Sequence, residues 1–345
     1  MVIQTRRESY HGLIVDEYVG PSNVRFEADL AIYAASWESR TMHHAEAGTA
    51  RSSRALVLTF SDCDNHFNPL EVLSQQEGTA SEAIDVGSHY KIQEAIELFL
   101  PTLFRNEGFL FGRVFMDVSC MPKYMSQYLL MELINSKVVS EIIIGYTSGS
   151  YLHSSSETGV YDQGINRYLT LPQTANVGIS TRKGVIAALG ADEKLIADYF
   201  TNEAGFDEHF LIAADGATNV AVDTKVRNQT TALAQKFQLP DESMRSVAPP
   251  SFLSCLDAYE DFISRSPRID SWDIFCSGPK THAIAACLAA IKHKTVKLIG
   301  RVPVQYDTTN VKAGETISLL RILDATSPAV SKIRDIRSPF SMPTS

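Results

Sequence analysis

The sequence predicts an α/β protein made of two three-layer domains, each with a mainly parallel sheet covered by helices on both faces. Three observations lead to this prediction. The chain has 345 residues, which is enough for two domains of ordinary size. Short apolar runs alternate with helical patterns of about 10 to 15 residues, an order typical of βαβ units. The pattern of the first half also returns in the second half.

Four runs in the first half predict buried strands, because strands covered on both faces are short and almost wholly apolar. These runs are residues 28–35, 55–60, 113–119 and 141–146. Helices are predicted after the first run, where His43 and His44 lie, near 89–105, and over 123–134. Residues 13–15 are expected to form a short edge strand or an arm. We assign residues 1–150 to the first domain.

The pattern restarts after a stretch without clear periodicity. Strands are predicted at 183–190, 208–215, 272–276 and 295–300, and helices at 192–200, 226–238, 251–264 and after residue 280. We therefore expect a linker over 151–180, a second domain over 181–325 and a loose tail over 326–345.

Four blocks of the two halves match in one order at spacings between 154 and 157 residues. Three of the blocks begin at Ala31 and Val185, at Leu56 and Phe210, and at Ile142 and Lys297; the fourth contains Pro122 and Pro279. These matches predict tandem Rossmann-like domains related by an internal repeat. In open α/β sheets ligands bind beyond the carboxyl ends of the strands, so the residues at those ends are the site candidates.

The composition excludes several classes of protein. Hydrophobic residues make up 44% of the chain, and the net charge of −9 argues against direct binding to a nucleic-acid backbone. No apolar run is long enough to span a membrane, and the N-terminal stretch lacks the apolar core of a signal peptide. Five cysteines without metal-ligand spacing argue against disulfides and structural zinc, and they fit a cytoplasmic location.

The first site candidate is the turn Ser277-Gly278-Pro279-Lys280-Thr281, between an apolar strand and a helix of small residues. Backbone N–H groups and the dipole at such a helix N-terminus favour an anion, and Lys280 adds a positive charge. Gly278 would allow close approach of the ligand, and Thr281 offers a hydroxyl. The alternative is that Gly278 and Pro279 only shape the turn.

The equivalent turn of the first half is SCMPK, residues 119–123. Ser119 and Lys123 are the matching ligand candidates, although Met121 stands where the second turn has glycine. Asp117 precedes this turn, where it would orient a ligand hydroxyl or act as a general base. The alternative is that Asp117 caps the following helix, as aspartates at strand ends often do.

The segment SWESR, residues 36–40, follows directly on the first predicted buried strand. Ser36 and Arg40 are ligand candidates here, because an arginine can pair with a phosphate. Trp37 offers a face on which a base can stack. The alternative is a structural ion pair between Glu38 and Arg40 at the protein surface.

Several catalytic signatures are missing from the chain. It has no GxxxxGK[ST] of P-loop ATPases, no GxGxxG after the first strand and no GxSxG nucleophile elbow. No metal-ligand pattern surrounds His43 and His44, and residues 62–66 lack the glycine and distal glutamate of an EF-hand. We therefore expect neither a metal nor a cofactor.

The turn over 277–281 and the βα order around it resemble the CARF-type Rossmann-like domains of CRISPR accessory proteins. Those domains have a Gly-x-Lys turn between a late strand and a small-residue helix, and this turn lies in a ring-nucleotide pocket. The resemblance implies a sensor domain. In that family an effector domain follows the sensor, whereas this chain ends soon after its second repeat, so no effector is expected here.

These features predict a cytoplasmic protein that binds a nucleotide or other phosphorylated small molecule, as a sensor or subunit of bacterial anti-phage defence. A protein partner and a homodimer are expected. The rival prediction is a nucleotide-cleaving enzyme, a glycosidase or phosphodiesterase, which would use Asp117, Glu38 or Asp215 as acid or base. A third alternative is a scaffold in which both turns only shape the fold.

Overall fold

The structure, a computed structural model, is an α/β protein with two compact units. It describes residues 4–61, 65–87, 111–150, 165–174, 180–190, 199–200, 205–215, 220–303, 311–324, 326–327 and 340. One unit comprises Met1–Ser150 and Thr308–Ser345, and the other comprises Tyr151–Asp307. The helix predicted near 89–105, most of the one predicted at 192–200 and most of the tail lie outside the described residues.

The first unit contains an eight-stranded sheet in the order β1-β2-β14-β7-β6-β3-β4-β5. Strands β3 to β7 are mutually parallel, whereas β1, β2 and β14 join by antiparallel pairing. The strands are β1 (Gln4–Tyr10), β2 (Leu13–Gly20), β3 (Phe26–Ala34), β4 (Ala50–Thr59), β5 (Ala80–Asp85), β6 (Phe111–Asp117), β7 (Val139–Ser150) and β14 (Lys312–Leu323). The helices are α1 (His43–Ala47), α2 (Leu70–Leu73) and α3 (Lys123–Ser136), and a 3-10 turn spans Ser39–Met42.

The second unit contains a six-stranded sheet in the order β11-β10-β9-β12-β13-β8, in which only β8 is antiparallel to its neighbour. Its strands are β8 (Ile165–Thr170), β9 (Lys183–Leu189), β10 (Glu208–Ala214), β11 (Met244–Val247), β12 (Ser271–Cys276) and β13 (Val296–Pro303). Its helices are α4 (Val220–Lys236), α5 (Phe252–Arg265) and α6 (Lys280–Lys292), with 3-10 turns at Pro172–Thr174 and Asp241–Ser243.

Local sequence explains why α5 and α6 form and pack together. The Ser251 hydroxyl accepts a hydrogen bond from the N–H of Ser254 at 3.1 Å, which caps the start of α5. Helix α5 buries Phe252, Leu256 and Phe262 on one face. Helix α6 is made mainly of small apolar residues and is buried along nearly its whole length, which lets it pack closely against α5. None of the helices among the described residues combines the length and apolarity needed to cross a membrane.

The two sheets have the same strand order over six positions, β5-β4-β3-β6-β7-β14 and β11-β10-β9-β12-β13-β8. The sixth strand of each sheet comes from an unexpected part of the chain. Strand β8 follows β7 in sequence but pairs with β13, and β14 follows β13 but pairs with β7. The sixth strands are therefore exchanged between the units. The internal repeat in the sequence stays a prediction.

The exchange corrects two predicted boundaries. Residues 312–323, placed in the second domain over 181–325, form β14 in the sheet of the first unit. Residues 165–170, placed in the linker over 151–180, form β8 in the sheet of the second unit. The physical reason is that strand pairing depends on contacts between residues distant in the sequence, and the periodicity of a run does not identify its neighbour in the sheet.

A buried chain of charges holds β14 within the first sheet. The Arg321 side chain is fully buried and donates from Nε to Oε1 of Glu141 at 2.6 Å and from Nη1 to Oδ2 of Asp16 at 2.7 Å. Arg113 lies 2.9 Å from the other carboxylate oxygen of Glu141. These four residues come from β14, β7, β2 and β6, so the charges join four neighbouring strands.

Loss of Arg321 should be strongly destabilising. Arg321→Ala leaves Asp16 and Glu141 buried without their counter-ion, and breaking such a pair costs about 3 to 5 kcal/mol. The matched control is Arg54→Ala, which removes an ion pair to Glu82 whose side chains are 28% and 52% exposed. This control should cost less than about 1 kcal/mol. Urea unfolding measures both values, and equal costs would contradict the role given to the buried network.

His44 lies in the core of the first unit beneath the sheet. Its ring packs edge-on against Phe115 with centroids 5.5 Å apart, and its Nδ1 lies 3.2 Å from the Thr49 hydroxyl. Burial, and to a smaller degree neighbouring His43, lowers the pKa of His44 to about 3. The unfolded chain therefore takes up a proton near pH 6.5, while the folded protein does not do so until about pH 3.

The first unit should consequently lose stability as the pH falls from 6.5 towards 3. Between these values the unfolded state binds more protons at His44, so this group lowers the free energy of unfolding by at most about 1.4 kcal/mol per pH unit. His44→Asn removes the titrating group, and its free energy of unfolding should depend less steeply on pH in this window. Denaturant unfolding at a series of pH values checks this, and parallel curves for the two proteins would count against it.

Candidate functional site

Each sheet has one point at which the winding of the chain reverses. In the first unit the chain winds from β3 to β4 and β5 on one side, and from β6 to β7 on the other, so the reversal lies between β3 and β6. In the second unit the reversal lies between β9 and β12. Such a topological switch point opens a crevice beyond the carboxyl ends of two neighbouring strands, where α/β proteins bind ligands.

The predicted site residues lie at these two switch points, with one exception. Ser36, Glu38 and Arg40 follow β3, and residues 117–123 end β6 and begin α3. In the second unit, residues 277–281 connect β12 to α6. The exception is Asp215, which follows β10, one strand away from the reversal.

The loop after β3 is held by short-range hydrogen bonds. The Ser36 hydroxyl accepts from the N–H of Glu38 at 3.2 Å, and Ser36 pairs with Phe67 through the backbone in both directions. The Thr41 hydroxyl donates to the carbonyl of Ala34 at 2.5 Å. The 3-10 turn that carries Arg40 is therefore fixed against the end of β3, and Ser36 acts as a structural acceptor in this loop.

Glu38 and Arg40 form an ion pair with 2.5 Å between Oε2 and Nε. Their side chains are only 14% and 8% exposed, so the pair is largely buried and not the surface pair considered from the sequence. Nη1 of Arg40 also lies 3.5 Å from the carbonyl oxygen of Thr147, in the last third of β7. The pair therefore connects the loop after β3 with the strand two places away in the sheet.

A thiol and a phenol complete this cluster. The Cys120 sulfur lies 3.9 Å from Oε2 of Glu38. The Tyr146 hydroxyl is hydrogen-bonded to Arg40. Burial raises the pKa of Tyr146, although the charge of Arg40 and this hydrogen bond act in the opposite direction. Hence the thiol of Cys120 and the phenol of Tyr146 both lie beside the Glu38–Arg40 ion pair.

The turn after β6 is built by Asp117 and Ser119. Oδ1 of Asp117 accepts from the N–H of Ser119 at 2.8 Å, and the Ser119 hydroxyl accepts from the N–H of Thr147 at 2.8 Å. Both side chains are buried. Asp117 therefore shapes the turn, and Ser119 ties it to β7. Lys123 is the first residue of α3, whose N-cap, Pro122, makes no side-chain capping bond.

The turn after β12 packs directly on the end of β9. The Ser277 hydroxyl donates to the carbonyl of Ala188 at 3.2 Å and accepts from the N–H of Gly190 at 3.3 Å. A side-chain carbon at Gly278 would lie 2.8 Å from the carbonyl oxygen of Leu189. The lack of a side chain at Gly278 is thus required by the contact between the two loops, independently of any ligand.

Lys280 and Thr281 begin α6 but differ in their surroundings. Lys280 is partly exposed, and Pro279 before it provides no side-chain cap for the helix. Thr281 is fully buried, and its hydroxyl donates to the carbonyl of Pro249. The hydroxyl hydrogen of Thr281 is therefore used within the fold, which leaves Lys280 as the charged side chain of this turn.

The three carboxylates considered as acids or bases are distributed over both units. Asp117 and Glu38 belong to the first unit, with the partners described above. Asp215 belongs to the second unit, where it forms a forked ion pair with Arg227 of α4 at 2.7 to 2.9 Å. Each of these carboxylates thus has a charged or backbone partner that fixes its position.

The sequence places Cys120, Tyr146 and Thr147 at predicted strand ends, where α/β sheets bind ligands, but it gives none of the three a role in binding. Tyr146 and Thr147 are at the end of an apolar strand, but only the sheet order shows that this end lies beside Arg40.

No family model and no curated protein sequence matches the chain. Among solved structures it is similar to a functionally unknown protein from Pseudomonas aeruginosa PAO1, with 12% identity and a TM-score of 0.21 over 79% of this chain and 92% of that chain. It is also similar to a provisionally assigned universal stress protein from Pseudomonas aeruginosa UCBPP-PA14, with 10% identity, a TM-score of 0.21 and the same coverage. At TM-scores this low, the similarities support no conclusion about the function of this chain.

The contact between the loops after β9 and β12 can be tested at Gly278. Gly278→Ala places a carbon against the backbone oxygen of Leu189, which cannot rotate away, so the turn must shift. We expect a destabilisation of about 1 to 3 kcal/mol, as for other overpacked sites. Thermal unfolding measures this cost, and an unchanged Tm would show that the two loops are not in close contact.

Proposed function

We propose that the chain binds a nucleotide or another phosphorylated small molecule at its switch points. The observation that supports this most is the recurrence of one arrangement in both units. In each, a helix begins with a lysine directly after the strand at the reversal, preceded by a proline and without a side-chain cap. Such an N-terminus presents backbone N–H groups and a positive dipole to an anion, and the lysine adds a full charge.

The second unit provides the simpler of the two sites. Its turn, residues 277–281, contains no acidic residue, and Lys280 is its one charged side chain. Asp215, at the end of the neighbouring strand β10, is neutralised by Arg227. A phosphate at the start of α6 would therefore meet little opposing negative charge from these described residues. In this proposal Lys280 contacts the phosphate, and Ser277 and Gly278 hold the turn in place.

The biological role that we propose is that of a sensor or subunit in bacterial anti-phage defence. It rests on the resemblance of the 277–281 turn to CARF-type domains, together with the position of this turn at a switch point. Native mass spectrometry of the purified full chain tests the binding function most directly. A bound species with the mass of a nucleotide would support it, and a cleaved product in its place would favour the rival enzyme.

Lys280→Ala is the test of the site itself. The probes are ATP, NAD and a cyclic oligonucleotide, titrated by calorimetry. Removal of a charged hydrogen-bond donor should cost about 1.5 to 3 kcal/mol, or at least about tenfold in affinity, for whichever probe binds. The matched control is Lys294→Ala, an exposed lysine just before β13, at the amino ends of the strands and not at their carboxyl ends. Unchanged affinity in Lys280→Ala would exclude the α6 turn as the phosphate site.

A further inference from the structure

We propose that the switch point of the first unit is an anion site whose arginine, Arg40, is occupied by an internal carboxylate, that of Glu38. A phosphate group of the ligand binds there by replacing this carboxylate. The inference rests on the proposed function and adds to it a mechanism of regulation. The first unit binds its ligand only when Glu38 leaves Arg40, whereas Lys280 of the second unit lies in a turn without an acidic residue.

The first step of the argument is the burial of Arg40. Its side chain is only 8% exposed, and a guanidinium taken out of water needs an anion to compensate the loss of hydration. Glu38 supplies that anion at 2.5 Å. An arginine in this position at a switch point will therefore have an anion beside it in every state of the protein, either its own carboxylate or one from a ligand.

The second step is that the Glu38–Arg40 pair is local. The two residues are separated by one position on the loop that leaves β3, and the Glu38 N–H is held by the Ser36 hydroxyl. Rotation of the Glu38 side chain alone can break the ion pair, because no strand or helix has to move. The buried pair at Arg321 differs in this respect, since it joins separate strands and its opening would disrupt the sheet.

The third step is that Arg40 has other partners that stay in place when Glu38 leaves. The Tyr146 hydroxyl and the Thr147 carbonyl both contact its guanidinium from β7. These contacts hold Arg40 in position for an incoming phosphate. A phosphate monoester carries close to two negative charges at neutral pH and three acceptor oxygens, so it competes well against a single carboxylate for an arginine.

The fourth step is the positive end of α3. The Cys120 sulfur, which contacts Glu38, belongs to the turn that leads into this helix at Lys123. The turn thus joins the Glu38–Arg40 pair to the N-terminus of α3, where the helix dipole is positive and the first residue is Lys123. A phosphate in place of the carboxylate would pair with Arg40, and the positive end of α3 would favour its negative charge.

The test uses the full chain with Lys280→Ala as background, so that the second unit does not contribute, and inorganic phosphate as the probe. Glu38→Gln removes the internal anion but keeps the size of the side chain. If the open state makes up about a tenth of the population, this substitution should tighten phosphate binding about tenfold in calorimetry. The Tm without phosphate should fall, because Arg40 loses its counter-ion, and phosphate should restore it.

Two controls make the result specific. Glu82→Gln removes a carboxylate from the exposed pair with Arg54 and should leave the response to phosphate unchanged. Arg40→Gln added to Glu38→Gln should abolish the gain in affinity. Glu38→Asp keeps the charge on a shorter side chain and should give an intermediate gain in phosphate affinity. This variant replaces Glu38→Gln in the test if Glu38→Gln does not fold.

The proposal is overturned if Glu38→Gln and Glu38→Asp both bind phosphate no more tightly than the Lys280→Ala background. It is also overturned if the double variant at Glu38 and Arg40 binds as tightly as Glu38→Gln alone. A failure of the proposed function would be distinct, because it would show as a lack of nucleotide binding by the unaltered chain. The phosphate gain at Glu38 would then still be measured independently.

Discussion

The buried guanidinium of Arg321 is the constraint on which the first unit depends. An arginine with no access to water must keep its two carboxylates, and these come from the strands on either side of β14. A slip of β14 by one residue would turn Arg321 to the opposite face of the sheet and leave all these charges unpaired. The network thereby fixes the register of β14 against β7. The end of β7, in turn, carries Tyr146 and Thr147 to Arg40 at the switch point.

The two switch points have the same place in the strand order but different chemistry. In the first unit a buried ion pair lies between the loops, with a phenol and a thiol around it. In the second, a serine and two glycines bring the loops into backbone contact, and Lys280 is the charged side chain of the turn. The same topology therefore supports two sites of unequal charge and unequal access, and ligand preference at one need not apply at the other.

The sequence was informative wherever the signal was local. The run at residues 208–215 matches β10 because a strand buried on both faces is recognised by its apolar side chains alone. The neighbours of β14 could not be predicted, because strand pairing depends on residues far apart in the sequence. For the same reason, the position of Arg321 in an apolar run did not identify Asp16 and Glu141 as its partners. At the site, strand-end positions identified Glu38 and Arg40. Their burial could not be predicted, because it depends on residues of β7 and the SCMPK turn.

The exchange of β8 and β14 has a consequence for the order in which the protein is completed during synthesis. The chain emerges from the ribosome N-terminus first. All six strands of the second sheet lie between residues 165 and 303. The first sheet, by contrast, lacks β14, the strand between β2 and β7, until residues 312–323 have emerged. The first unit to begin synthesis is thus the last to be finished, and the edge of β7 stays open in the meantime. An unpaired edge of this kind can pair with another chain, and here it is covered only once β14 has been synthesised.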